Sequence, residues 1–196
     1  MGKKNKSKIV AIINQKGGVG KTTTAVNLSA FFAVSEIPTL VVDMDPQANC
    51  SSGLGIEPGS YKKSVYDVII GKKSVKQCTL NTNLEYLDVL PASAQLVGAE
   101  IELVGMLTRE RMLKDQLMDK EIQDKYKYII IDSPPSLGLL TINVLTAANS
   151  LIIPIQCEYY ALEGLSQLLN TIRLVQKKLN KNLSIEGILA TMYDNR

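Results

Sequence analysis

Short apolar runs alternate along this chain with longer stretches whose apolar positions recur at helical spacing. Runs that close quickly and are rich in Val and Ile read as strands: Lys8 to Ile13, Thr39 to Asp43, Leu84 to Leu90, Tyr128 to Asp132, Leu151 to Ile155 and Ile185 to Thr191. The intervening patterns predict helices from Lys21 to Val34, Val65 to Ile70, Ala94 to Met106, Arg109 to Lys120, Leu139 to Ala148 and Glu158 to Lys178. Strand and helix in alternation predict an α/β fold, a mostly parallel twisted sheet with helices on both faces. No repeat or low-complexity linker interrupts the alternation, so residues 8–196 are expected to form one domain behind a basic, flexible tail of residues 1–7.

The first junction carries the most chemistry. Lys16-Gly17-Gly18-Val19-Gly20-Lys21-Thr22-Thr23 follows the first strand directly and opens the first helix, the setting that a phosphate-cradling loop requires. Gly17, Gly18 and Gly20 let backbone N–H groups point inward where a side chain would collide with phosphates. Lys21 brings a compact positive charge to the terminal phosphates, and the Thr22 hydroxyl is placed to meet Mg²⁺. The strict pattern G-x-x-x-x-G-K-[ST] fails at Gln15, and a second lysine, Lys16, follows it. Two ammonium groups about 5 Å apart at an effective dielectric near 20 repel by roughly 3 kcal/mol, so only a polyanion favours such a pair. Lys16 is either a solvated loop lysine or a group that projects from its own loop to a phosphate on another subunit.

Two further strands end in carboxylates. Thr39-Leu40-Val41-Val42 closes on Asp43-Met44-Asp45-Pro46-Gln47, and Tyr128-Ile129-Ile130-Ile131 closes on Asp132-Ser133-Pro134-Pro135. The carboxyl edge of an open parallel sheet is where ligands bind. Asp132 is expected to hold Mg²⁺ through water, Asp45 to hold the attacking water, and Asp43 to support the metal site from behind. The plainer alternative is that Asp43 and Asp45 cap the next turn.

The lysine-bearing loop resembles the deviant Walker A motif of the ParA/MinD/nitrogenase iron protein group, whose P-loop NTPase members form nucleotide-sandwich dimers. The resemblance narrows through Asn14-Gln15-Lys16, Asp45-Pro46-Gln47, Ser52-Gly53-Leu54-Gly55, Pro91-Ala92-Ser93, Gly98-Ala99-Glu100-Ile101-Glu102, Asp132-Ser133-Pro134-Pro135-Ser136-Leu137-Gly138 and Gln156-Cys157-Glu158-Tyr159-Tyr160-Ala161-Leu162-Glu163-Gly164. These are similar to chromosomal ParA, also called Soj, and the match spans the chain after Lys8. The resemblance implies an ATPase that partitions chromosomes or plasmids. It would use ATP and Mg²⁺, with Gln15 to Thr23 on the phosphates and Lys16 crossing to the partner's nucleotide. It also implies an ATP-dependent homodimer, non-specific DNA binding, and slow hydrolysis stimulated by a ParB-type centromere-binding protein. The segment from Ser136 to Leu140 belongs in that family to a region that responds to nucleotide. Family members continue past Arg196 with further elements, so the chain is expected to be truncated at its C-terminal end, with Ile185 to Thr191 as a more exposed edge. Lower stability, aggregation or dependence on dimerisation would follow from that exposure. Arg196 matches a family arginine associated with DNA. A nucleotide-responsive binding module with little hydrolysis, or a membrane-cycling ATPase like MinD, are the alternatives.

Composition narrows the chemistry further. With no histidine, a His-based nucleophile relay and a histidine metal cluster are excluded, leaving Lys, Asp, Thr, backbone N–H groups and a bound metal. Cys50, Cys78 and Cys157 form no C-x-x-C pair and suit neither a disulfide framework nor a zinc site; Cys157 is expected to be a packed small residue. The net charge of +3 resides in Lys3, Lys4, Lys6 and Lys8, without which 18 basic residues face 19 acidic ones. DNA affinity would then need a local patch, the tail, or a dimer face that doubles a patch. No apolar run suits a membrane span or signal peptide, so a cytoplasmic protein with no membrane partner is expected, and the resemblance implies a bacterial, nucleoid-associated one.

Overall fold

A computed structural model of the chain describes residues 6–157 and 161–193. Its elements run β1 (Lys8–Ile12), α1 (Lys21–Val34), β2 (Thr39–Asp43), α2 (Asn49–Gly53), α3 (Val65–Ile69), α4 (Val75–Cys78), β3 (Leu80–Asn81), β4 (Leu87–Leu90), α5 (Leu96–Val104), α6 (Met112–Leu117), α7 (Lys120–Lys125), β5 (Tyr128–Asp132), α8 (Leu139–Ala147), β6 (Ser150–Gln156), α9 (Ala161–Lys178) and β7 (Ser184–Thr191). The strands form one seven-stranded sheet in the order β3-β4-β2-β5-β1-β6-β7. Every pairing is parallel except that of β3 with β4.

The period-two pattern of the strands divides the core in two. Ile9, Ala11, Ile13, Leu40, Val42, Ile129 and Ile131 pack on one face, beneath the helices from α3 to α9. Val10, Ile12, Val41 and Ile130 pack on the other, against Ala25, Ala33 and Phe32 of α1. Because both faces are covered, the central strands carry almost no polar positions until their carboxyl ends. That is why Asp43 and Asp132 stand out at paired positions of β2 and β5.

Three expectations are corrected. The strand expected from Leu84 begins at Leu87, because residues 82–86 make a turn with Tyr86 in the left-handed region (φ 65°) that closes the β3–β4 pair. The helix expected from Arg109 to Lys120 is two, α6 and α7, since the Asp119 carboxylate accepts from Glu121 N at 2.8 Å and starts a new helix there. The tail ends one residue early: Ser7 is buried, and its hydroxyl donates to the Tyr126 carbonyl at 2.6 Å. Lys8, counted with the tail lysines, pairs with Glu186 at 2.8 Å. Strand β7 is the outer strand of the described sheet, and Ile188 on it is 60% exposed.

One buried side chain closes the helix that follows the Asp132 strand. Asn180 Nδ2 donates to the carbonyls of Leu145, Thr146 and Ala148 at 3.0, 3.1 and 2.7 Å, covering acceptors at the carboxyl end of α8. Removing this amide strands buried carbonyls, so Asn180→Ala is expected to cost about 2–3 kcal/mol, read as a lowered urea midpoint at unchanged slope.

Candidate nucleotide site

The loop leaving β1 is shaped by its own backbone. Gly18 and Gly20 adopt φ of 73° and 89°, which non-glycine residues rarely reach. Gly17 lies on the exposed rim of the loop, where a Cβ would meet no protein atom within 4 Å. Gly20 is the N-cap of α1 without a side-chain cap, and no acidic residue lies in the first turn. The first N–H groups of a 14-residue helix therefore remain as donors for an anion.

The loop borders a cavity of about 220 Å³, lined by Gly17, Gly18, Gly20, Lys21, Thr22, Thr23, Asp45, Pro135 and Met192. Lys21 is buried and its ammonium donates to the Lys16 carbonyl at 3.0 Å, bracing the loop across its base. Burial lowers the Lys21 pKa, and the charges of Asp132 and Asp45 oppose that shift. The Thr22 hydroxyl donates to Asp132 Oδ2 at 2.7 Å. Asp132 Oδ1 is buried with no hydrogen-bond partner among the described residues. Burial also drives the Asp132 pKa up to about 7, against the Thr22 hydrogen bond, with Asp43 adding to the rise and Lys21 opposing it. An orphaned oxygen on a carboxylate whose charge is costly is a site that a cation would relieve. Among the described residues no three carboxylates or cysteines form a metal cage. Mg²⁺ takes one or two protein ligands and fills its remaining positions from phosphates and water, and Thr22 with Asp132 would supply the protein's share.

Asp43 and Asp45 divide their work. Asp43 Oδ2 accepts from Ser51 N and Ser51 Oγ at 2.8 and 2.7 Å, and Oδ1 accepts from Asp45 N at 3.1 Å. It is fully buried, and burial lifts its pKa to about 6 against those hydrogen bonds. Asp43 thus fixes both α2 and the backbone of Asp45. Asp45 lines the cavity, its Oδ1 accepting from Gln47 N at 3.0 Å. Of the two alternatives posed for Asp43, these hydrogen bonds are those of capping the turn that follows β2.

The remaining expected residues are distributed around the loop. Lys16 is exposed, and its ammonium donates to Gln156 Oε1 at 3.3 Å, toward the end of β6 and away from Lys21's position under the loop. Gln15 donates from Nε2 to the Gly164 carbonyl at 2.9 Å, tying the loop to α9. Val19 is buried and its carbonyl accepts from Thr191 Oγ1 at 2.9 Å, tying the loop to the end of β7. Thr23 is exposed at the cavity rim. A second cavity of about 560 Å³ lies beyond Lys16, between Gln15, Pro135, Leu137 and Gln156. Cys157 is exposed, contrary to expectation, because β6 ends at Gln156 and leaves it past the packed strand; Cys50 and Cys78 are buried. Arg196 and the helix entry Glu158 to Tyr160 lie outside the described residues. Ser51 was not expected; eight residues from Asp43, it carries no sequence signal of its role.

Comparison with known proteins decides between families that share such a loop. A family model described as an AAA domain matches residues 7–185. Sporulation initiation inhibitor protein Soj of Bacillus subtilis is 59% identical over 189 residues, covering 96% of this chain and 74% of that protein. The chain belongs to the ParA/Soj family. Chromosome partitioning protein ParA of Myxococcus xanthus is 54% identical over 189 residues, 96% of this chain and 66% of that one. The chain thus spans about two thirds to three quarters of these ParA/Soj relatives. Among solved structures, cobyrinic acid a,c-diamide synthase from Mycobacterium smegmatis with bound ADP and magnesium superposes with a TM-score of 0.92 at 39% identity, covering 97% of this chain and 76% of that one. A plasmid partition protein from Borrelia burgdorferi bound to AMPPNP gives 0.84 at 29%, covering 97% and 77%. The P-loop NTPase fold expected of a ParA/Soj member is the fold observed.

Proposed function

We propose that this chain is an ATP-driven switch of DNA partitioning, which hydrolyses ATP to ADP and phosphate and works as a homodimer in the bacterial cytoplasm at the nucleoid. The observation that carries the proposal is the convergence of Lys21, Thr22, Asp132 and Asp45 on one open glycine loop at the carboxyl edge of the sheet. The relatives' names supply the biological setting, chromosome and plasmid partitioning. Solved neighbours holding ADP, an ATP analogue or AMPPNP support ATP with Mg²⁺ as the ligand.

In this mechanism the loop N–H groups from Lys16 to Thr23 and the Lys21 ammonium neutralise the phosphates. Thr22 and Asp132 would hold Mg²⁺, which when bound supplies charge neutralisation at the transferring group. Asp45, its backbone fixed by Asp43, orients the attacking water toward the terminal phosphate. Lys16 from the second protomer adds positive charge there once two copies face each other. Preorganised charge of this kind accelerates transfer without a covalent intermediate.

DNA without sequence preference and a ParB-type protein complete the cycle. Phosphate release is expected to be slow for the chain alone and to rise about tenfold or more when both are present. Asp45→Ala should retain ATP and lose that release. Absence of release under every one of these conditions would leave a nucleotide-responsive binding module instead.

A further inference from the structure

The helix that follows Asp132 starts without a cap of its own. Helix α8 has Gly138 at its N-cap, no side-chain cap from that residue, and no acid in its first turn. The missing acceptor comes from another helix. Glu100 of α5 extends its Oε1 to Leu140 N at 3.3 Å, 40 positions away in the chain. Its carboxylate also occupies the place where a side chain on Gly138 would begin: a Cβ there would overlap Oε1 and Cδ of Glu100 and crowd Oε2. Gly138 has φ −78°, open to any residue, so its backbone does not require glycine; the space it leaves is filled by Glu100.

Helix α8 is held on its other flank as well. Asn143 is fully buried, donates to the Arg109 carbonyl at 2.7 Å and accepts from Leu113 N at 3.2 Å at the start of α6. The Thr141 hydroxyl donates back to the Ser136 carbonyl at 2.7 Å, tying the helix to the loop that leads from Asp132. The loop thus leads from Asp132 to a helix start held by Glu100, Asn143 and Thr141.

We propose that Glu100 is a positioning residue that sets the Ser133 to Gly138 loop, and through it Asp132, by capping α8 from α5. The proposal rests on the assignment of Asp132 to Mg²⁺ above. A carboxylate at a helix N-terminus meets the unpaired N–H groups and the positive end of the helix dipole, and here it does so from a separate helix. Glu100 therefore couples α5 to the metal-holding aspartate without touching nucleotide.

Since only the far end of a flexible side chain fills the space at Gly138, a methyl group there displaces the cap rather than breaking the core. Gly138→Ala is thus expected to copy Glu100→Ala. In the nucleotide-free protein each single variant should lower the thermal midpoint by about 2–4 °C, and the double variant by the same amount, not the sum. Glu100→Gln keeps an acceptor and should restore most of the loss. Additive midpoints, or a Gly138→Ala protein as stable as wild type, would overturn the cap. The positioning role is read separately, as the ratio of the ATP Kd in EDTA to that in magnesium. That ratio should fall about tenfold in Glu100→Ala and recover in Glu100→Gln, while the EDTA value itself stays unchanged. An unchanged ratio would overturn the positioning role. If the wild-type chain bound no nucleotide, the proposed function would fail, and the cap would still be decided by the midpoints.

Discussion

Lys21→Ala removes nucleotide binding, with an expected loss of more than about 100-fold in affinity by calorimetric titration. The side chain is buried at the base of the loop, where charge-assisted hydrogen bonds to phosphate are worth roughly 1.5–3 kcal/mol each. Its ammonium is costly without a ligand, since burial lowers its pKa against the pull of Asp132 and Asp45. The fold itself should tolerate the change. Truncation loses the brace to the Lys16 carbonyl but also relieves the unfavourable burial of the ammonium, so the net change is expected to be within about 1 kcal/mol and the urea midpoint close to wild type. A large drop in that midpoint would instead make Lys21 a structural residue.

Lys16→Ala has the complementary signature: a single protomer still binds ATP, and the ATP-dependent dimer is lost. The two lysines stand five positions apart, but their ammonium groups go different ways. Lys21 reaches the Lys16 carbonyl under the loop, while Lys16 reaches Gln156 at the exposed end of β6. Truncating Lys16 therefore leaves the loop's backbone donors in place. In a two-fold dimer each copy gives one lysine to the other's nucleotide, so one substitution removes two contacts. At roughly 1.5–3 kcal/mol per charged contact, dimerisation should weaken by about 10²-fold or more.

Much of the fold was legible because strands covered on both faces must be apolar along their whole length. β1, β2 and β5 read directly from Ile9 to Ile13, Leu40 to Val42 and Ile129 to Ile131, and the carboxylates ending two of them broke that apolar pattern although both are buried. Helix α1 is bounded as expected, since Gly20 and the break after Val34 are both local. Local signals failed where tertiary partners set the boundary. Helix α2 exists where Asp43 holds Ser51, and the α6 to α7 break depends on Asp119 turning its carboxylate to Glu121. The short β3 has only two residues and forms because Leu80 and Asn81 find Val89 and Asp88.

The site was legible as residue types and less so as a division of labour. Asp43 and Asp45 were both legible as carboxylates at the end of β2; their partners separate them, with Asp43 closed off by Ser51 and Asp45 on the cavity wall. Gln15 was visible as a missing glycine and as part of a family-like segment, but its bond to Gly164 links elements far apart in the chain. Glu100 sat within a family-like segment with no stated duty. Its role needs the position of α8, which no pattern around residue 100 encodes.

The central claim is that two lysines on one loop serve nucleotides shared between protomers, and solution mass tests it most directly. Light scattering on Asp45→Ala, with magnesium and ATP, should give twice the protomer mass, and the same protein carrying Lys16→Ala should give the protomer mass while retaining bound ATP. A doubled mass for both proteins would contradict it.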